Sequence, residues 1–453
     1  MDRLAHLDSS VTTDTAFRVA IVGGGYAGMA AAVALGERGI RATVFEAGKV
    51  LGGRARRVDY RGEAIDNGQH ILSGAYSELL RLMALVGVPD DAFSRIPLTL
   101  TMPPHFSMQA PQWIPPLHLL WALLSAKGLV LSDRLAAIRF MHTLKQLKFQ
   151  VGAADSVATL LAAHRQPDNL VRYLWQPLTI SALNTPIATA SAQVFANVLR
   201  DTLASGRKGS DLILPHTDLS ALFPDVAATW LARRGSEVHR GLRVKCVTAA
   251  KSLFHLETDM GQSTFGAVIV AIGPHQFDSI SMPPDCDASL PFTYEPIVTI
   301  YLKFDQRVRL PCPMLGQVEG TAQWFFDRRQ LRANHAGCPQ GDGLIAAVIS
   351  TSGPHEGLSQ EELAACVLKE LVRHTGPLAP PAWQKVITEK FATFACTSPI
   401  QRKRPATQTS TPGLFLAGDY TAGEYPATLE GAIRNGIRAA DHAASFLSKP
   451  GPP

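Results

Sequence analysis

The chain contains no C-x-x-C pair: its six cysteines stand at 246, 286, 312, 338, 366 and 396, apart from one another and from any cluster of histidines. That spacing excludes a zinc ribbon and a disulfide framework, so no metal is expected and a reducing, cytoplasmic compartment is. Runs of lysine or arginine are also missing. The formal charge of +5 is spread out, and the one short group, Arg402, Lys403 and Arg404, reads as a solvated turn. Nucleic acid is therefore not an expected partner. There is no uninterrupted stretch of about 20 apolar residues, the length needed to span a bilayer, and no internal repeat. Apolar material itself is plentiful, at 46% of 453 residues and a mean hydropathy of +0.07. A chain of this length is expected to fold as two domains.

The most informative stretch is Phe17-Arg-Val-Ala-Ile-Val-Gly-Gly-Gly-Tyr-Ala-Gly28. Val19 to Val22 predicts a short buried strand, Gly23, Gly25 and Gly28 follow in G-x-G-x-x-G order, and Met29 to Leu35 predicts a helix. Gly23 permits a tight turn, Gly25 lets backbone approach a pyrophosphate, and Gly28 lets helix and strand pack closely. The N–H groups of Tyr26 and Ala27 then face the phosphates, helped by the helix dipole. A second strand, Ala42 to Phe45, ends in Glu46 and Ala47, with the acid eighteen residues past Gly28 where a ribose hydroxyl is bound. The glycine order also rules out a signal peptide at Arg18 to Leu35. Further on, Gly52, Gly53 and Arg54 supply paired donors that suit pyrophosphate charge. Ile65-Asp-Asn-Gly-Gln-His-Ile-Leu72 reads as a strand with a polar turn, and Gly413 to Thr421 as an apolar strand ending in Ala-Gly-Asp. Together these favour a flavin dinucleotide over a nicotinamide one.

These elements are similar to flavoproteins of the amine oxidase and phytoene desaturase superfamily, from Arg18 to about Phe446. The resemblance implies an α/β fold: a Rossmann-like FAD-binding domain of the two-dinucleotide-domain type with a discontinuous α+β substrate domain. It implies FAD as cofactor, with Gly418 and Asp419 at the ribityl-phosphate and Gly68, Gln69 and His70 leading toward the ring. Thr428 and Leu429 would open a helix whose N–H groups face the flavin, and Val244 would meet the adenine end. Four longer segments, Asp66 to Tyr76, Ala182 to Pro186, Ser191 to Phe195 and Tyr425 to Ala432, resemble the hydroxysqualene dehydroxylases. Those enzymes, also called squalene-associated FAD-dependent desaturases, belong to bacterial hopanoid biosynthesis. This narrower resemblance implies reduction of hydroxysqualene, a C30 isoprenoid alcohol, to squalene by reduced FAD. It also implies squalene-pathway synthases as partners and peripheral contact with the cytoplasmic face of the inner membrane.

The FAD domain is expected from residues 16–95, 211–284 and 393–448, and the substrate domain from 96–210 and 285–392; tails 1–15 and 449–453 are expected to be loose. Leu219 to Arg233 predicts a helix. Ile297 to Phe304, Gly343 to Ser350 and Trp383 to Lys390 predict strands. Trp113 to Leu131 predicts an amphipathic helix, either buried against its own domain or laid on a membrane with Leu119, Leu120, Trp121, Leu123 and Leu124 outward. Replacing an allylic hydroxyl with hydrogen needs a hydride donor, a dry site and a proton for the departing oxygen. His70, Glu424 and Tyr425 are the candidates to serve that oxygen. For His70 the acid-or-orienter role stands against hydrogen bonding to loop backbone. Glu430 reads as structural, and Asp66 as the closer of a turn. Three other readings stand beside the first: a carotenoid desaturase, a flavin amine oxidase with Tyr420 and Tyr425 flanking a cation, and a non-catalytic FAD-binding partner.

Overall fold

Val19–Val22 is buried on both sides because it is the middle strand of a parallel sheet covered on both faces. The computed structural model describes residues 18–152, 156–250, 253–283, 292–332 and 342–448. The strands that position the site are β1 (Val19–Val22), β2 (Ala42–Glu46), β3 (Glu237–Arg240), β4 (Ala267–Val270), β5 (Tyr294–Phe304), β6 (Met314–Gly316), β7 (Trp324–Asp327), β8 (Gly343–Ser350), β9 (Trp383–Phe394) and β10 (Leu414–Leu416). The helices are α1 (Tyr26–Glu37), α2 (Leu117–Leu124), α3 (Leu131–Gln146) and α4 (Leu429–Leu447).

The first sheet runs β3-β2-β1-β4-β10, with every pair parallel. Val19 of β1 lies opposite Ala42 on one side and Ala267 on the other. Val19 and Ile21 turn toward α1 and α4. Ala20 and Val22 turn toward Phe254, Leu256 and Phe265 of a small antiparallel sheet. The alanine-rich α1 lets α4 approach until a Cβ at Gly436 would lie 2.2 Å from the Ala27 carbonyl oxygen. The second sheet, β6-β7-β8-β5-β9, is antiparallel. Its period-2 alternation sends Phe325, Ile345 and Ala347 to a helix at Gln360–Thr375, and Trp324, Phe326 and Val348 to the opposite face.

Several expectations change in three dimensions. The helix expected over 219–233 is two, Leu219–Leu222 and Pro224–Ala232, because Pro224 drives Phe223 out of helical geometry. The helix expected over 113–131 shrinks to α2. After Ser125 the chain pairs Lys127 with Ser107 through both backbone bonds, 2.8 and 3.3 Å, and α3 starts only at Leu131. Arg404 is no solvated turn residue: it is buried and donates to the carbonyls of Asp419, Thr421, Gly423 and Tyr425. The first insert opens with a β-hairpin, Thr99–Met102 and Phe106–Gln109, before its helices begin. The expected loose tails, the domain junction at 284/285, Cys286 and Cys338 lie outside the described residues. Among the described residues, no group of ligand side chains could hold a metal, and no helix is long and apolar enough to cross a membrane.

Glu430, in the first turn of α4, shows how the ends of the chain are tied. Its fully buried carboxylate accepts from the amides of Glu78 (3.1 Å) and Leu79 (3.0 Å), and from Arg434 Nε at 2.7 Å. Those amides open the helix Ser77–Val86 and have no helical partner of their own. Burial pushes the Glu430 carboxyl pKa above the usual carboxylate range. Glu430→Ala strands two buried donors and should lower stability by about 2 to 3 kcal/mol, read by urea denaturation, with Glu430→Gln losing less.

Candidate cofactor and substrate site

One cavity of about 720 Å³ runs along the carboxyl ends of β1 and β4 and out between the two sheets. The ends of parallel strands are where α/β sheets bind ligands. Sixteen of the residues expected at a dinucleotide line it: Gly23, Gly25, Tyr26, Ala27, Glu46, Ala47, Gly53, Arg54, Gly68, Gln69, His70, Val244, Gly418, Asp419, Thr428 and Leu429. Gly28 does not reach it. A Cβ at Gly28 would lie 2.0 Å from the Gly23 carbonyl oxygen, so its part is to let α1 close onto the turn.

The polar end of the cavity fits a dinucleotide. At Gly25 an added Cβ would meet nothing nearer than the Gly53 backbone at 3.7 Å, which leaves open space in front of the turn. The N-termini of α1 and α4 both border that space, each with the positive end of its dipole. Arg54 stands there too, its Nη2 2.6 Å from Asp419 Oδ2 and its Nη1 2.8 Å from the Ala392 carbonyl. The arginine expected at the pyrophosphate and the aspartate expected at the ribityl chain are thus partners of each other. Glu46 closes the far end, with its carboxylate accepting from the Gly24 amide (2.7 Å) and the Gly48 amide (2.6 Å).

The turn 66–70 is held by segments distant in sequence. Asp66 accepts from the Leu219 amide at 2.8 Å and from Arg328 Nη1 at 3.2 Å, and its carbonyl accepts from Tyr301 Oη at 3.0 Å. The same Arg328 nitrogen donates to Gln69 Oε1 at 2.6 Å, and Gln69 Nε2 donates to the His70 carbonyl at 3.0 Å. His70 Nδ1 lies 2.5 Å from the Gly68 carbonyl oxygen. A carbonyl only accepts, so Nδ1 carries the proton and Nε2 holds the lone pair. Burial lowers the imidazole pKa below its usual value, and Arg54 adds to this against the opposing Asp66 and Gly68 carbonyl. His70 is therefore a neutral acceptor, suited to hold a hydroxyl and not to donate the first proton.

Glu424 and Tyr425 are not at the cavity. The Glu424 side chain is 65% exposed and its Oε2 accepts from Arg200 Nη2 at 2.9 Å. Tyr425 donates to Asp201 Oδ2 at 2.7 Å. Both brace the 419–425 loop against the helix Ala192–Leu199 and its continuation, so neither serves an oxygen in the cavity. Tyr420 lines the cavity while Tyr425 does not, so these two tyrosines do not form a pair across it.

Sequence reasoning expected a dry site but named none of the side chains that make its apolar end. Ile297, Trp324, Phe326 and Val348 line the cavity, with Trp324 fixed through Nε1 to Ser181 Oγ at 3.1 Å. The i, i+2 spacing of Trp324 and Phe326 on a strand was the available signal. Asn67 was missed as well: its Nδ2 donates to Glu389 Oε2 at 2.8 Å and to the Arg54 carbonyl at 3.1 Å. So was Asn184, whose side chain ties β5, β9 and Thr351 together at the cavity edge.

Residues 26–444 match the family described as flavin containing amine oxidoreductase. A hydroxysqualene dehydroxylase of Zymomonas mobilis is 29% identical over 443 residues, covering 94% of this chain and 98% of that one. A probable zeta-carotene desaturase of Synechococcus elongatus is 21% identical over 481 residues, covering 93% and 98%. Among solved structures, an oxidoreductase from Methanosarcina mazei superposes with a TM-score of 0.75 at 15% identity, covering 94% of this chain and all of that one, and shares the fold. Gly25→Val is a direct test of the polar end. The variant should fold, since its Cβ meets no protein atom within 3.7 Å, yet purify colourless with less than about a tenth of the flavin of the unaltered protein.

Proposed function

This chain belongs to the flavin containing amine oxidoreductases, and from that membership we propose that it reductively dehydroxylates hydroxysqualene to squalene in hopanoid and squalene biosynthesis. It is an FAD-dependent oxidoreductase. The reading rests on one observation: in a chain alike end to end to hydroxysqualene dehydroxylase, the dinucleotide cavity continues onto the apolar wall of Ile297, Trp324, Phe326 and Val348.

The balance is simple. The carbinol carbon loses hydroxide and gains hydride, and the departing hydroxide becomes water with one proton, the hydride and that proton together being the two hydrogens that a fully reduced flavin gives up on oxidation. The turn at Gly23–Gly25, Glu46, Arg54 and the N-terminus of α4 would hold FAD, which in its reduced form would supply both. The chain's own residues do the rest. The apolar wall takes up the polyprenyl arms, each buried CH₂ contributing ~0.8 kcal/mol, and keeps water from recapturing the carbon. His70 Nε2 would accept a hydrogen bond from the hydroxyl, without removing its proton, and so fix which carbon is presented. Arg328, through Gln69, holds the turn that carries His70.

A carotenoid desaturase would use the same wall in the oxidative direction, and the 21% likeness to one supports it less. A flavin amine oxidase is disfavoured by the position of Tyr425 away from the cavity. Holoprotein reduced anaerobically and given hydroxysqualene should yield squalene, up to one per flavin, by mass analysis. Its absence would overturn the proposal. Desaturation of phytoene by the oxidised protein would favour the carotenoid reaction, peroxide formed from polyamines the amine oxidase, and no turnover a binding role.

The role of His70 gives a pH signature. Its pKa is depressed, so the neutral acceptor persists below the ordinary histidine value of 6.5 and is lost as pH falls through the folded-state pKa. Turnover should hold through neutral pH and fall on that acid side. His70→Gln, which still offers an acceptor oxygen, should remove the acid limb and keep more activity than His70→Ala. A rate that climbs with acidity would instead make the imidazolium a proton donor.

A further inference from the structure

Fourteen large apolar side chains are exposed among the described residues, and nine lie between 113 and 135: Trp113, Ile114, Leu117, Leu120, Trp121, Leu124, Val130, Leu131 and Leu135. They form one surface. Leu117, Leu120, Trp121 and Leu124 share the outer face of α2, and the Trp113 ring sits 5.2 Å from that of Trp121. Arg134 of α3 binds the carbonyls of Leu124, Ala126 (2.8 Å) and Leu129 (2.9 Å), which fixes the start of α3 beside the end of α2. The inner face of α2 is conventional. Ala122 and His118 are buried, Leu119 and Leu123 pack inward, and the core they join reaches Trp324, Phe326 and Val348 of the cavity wall. The outward apolar face is therefore not a helix that failed to find its core. Isolated exposed leucines are ordinary, but a contiguous group with two tryptophans is not.

Charge is uneven here when counted by segment. Residues 92–150 carry six lysines and arginines and a single acid, Asp133, so their net +5 equals that of the whole chain. Asp133 is buried, while Lys127 and Arg139 are exposed within four residues of the apolar group and Lys145 and Lys148 are exposed at and just past the far end of α3. We propose that α2 and the start of α3 dock this enzyme onto an anionic bilayer, the apolar side chains entering the interface and the lysines and arginines meeting lipid phosphates. Tryptophan and leucine on one side of a short helix, rimmed by cations, match what an interfacial helix buries. A second copy of the chain fits worse, because a symmetric pair would set this positive face against itself. The choice of bilayer rests also on the reading that the substrate is a C30 lipid.

Flotation of the holoprotein with phosphatidylcholine vesicles, with and without phosphatidylglycerol, tests the surface directly. The protein should float with the anionic vesicles and lose binding as salt is raised. Trp121→Ser with Leu124→Ser should reduce binding by about tenfold or more, and Lys127→Glu by less, with flavin content unchanged in both. Turnover of detergent-dispersed hydroxysqualene should be unaffected, while turnover of vesicle-borne substrate falls. Failure to float, or flotation indifferent to these substitutions, would overturn the proposal. So would a dimer in sedimentation that the double variant dissociates. Vesicle binding without any squalene formation would leave the surface standing and sink the substrate assignment instead.

Discussion

The approach of backbone to backbone at the first turn is the constraint from which the rest follows. A Cβ at Gly28 would sit 2.0 Å from the Gly23 carbonyl oxygen and one at Gly436 would sit 2.2 Å from that of Ala27. With hydrogen in those places, α1 closes onto β1 and α4 closes onto α1. Both helices then end at the same opening, and their unpaired N–H groups and positive dipole ends converge there. A larger side chain at either position would move a helix end by more than a hydrogen bond can follow. The anion-binding end of the cavity is in this sense a packing result.

The opposite wall depends on charges brought together from distant parts of the chain. Arg54 and Asp419 are 365 positions apart and 2.6 Å from each other. Arg404 then holds the loop from Asp419 to Tyr425 through its carbonyls. Burial lowers the Arg404 pKa to about 10, still well above neutrality, so it stays a cation among carbonyl dipoles. A buried guanidinium with its donors satisfied fixes a loop that has no regular structure of its own. Asp66 and Gln69, in the turn carrying His70, are held by a single nitrogen of Arg328, which follows β7, and by Tyr301 of β5.

Two chemistries meet in one cavity because the two sheets present different faces to it. The parallel sheet offers strand ends, and hence backbone donors and turn residues. The antiparallel sheet offers a face, on which alternate side chains are apolar and dry. The cavity therefore offers a polar stretch and an apolar stretch side by side, with His70 among its lining residues. The outward face of α2 is attached to that same apolar core, which joins an exposed apolar surface to the apolar wall of the cavity.

Much of the cofactor end was legible in the linear chain. G-x-G-x-x-G after four apolar residues, an acid at the end of the next strand and a late Ala-Gly-Asp are local patterns, set by turn sterics and helix-end electrostatics that operate over a few residues. The strands at Val19–Val22, Ala42–Glu46 and Gly343–Ser350 follow from period and β-branching alone. Pairings were not legible. That Arg54 would donate to Asp419, that Tyr425 would turn to Asp201, that Arg404 would be buried and that His70 would be desolvated all depend on which segments meet. The same is true of Trp324 and Phe326, whose alternation marks a strand but says nothing about which face looks into a cavity. Local sequence determined the elements and the phosphate-binding turn, because short-range sterics suffice for them. Tertiary contact alone decided the long-range partners, the desolvation of His70 and the apolar wall, because those depend on distances between residues that the chain order leaves free.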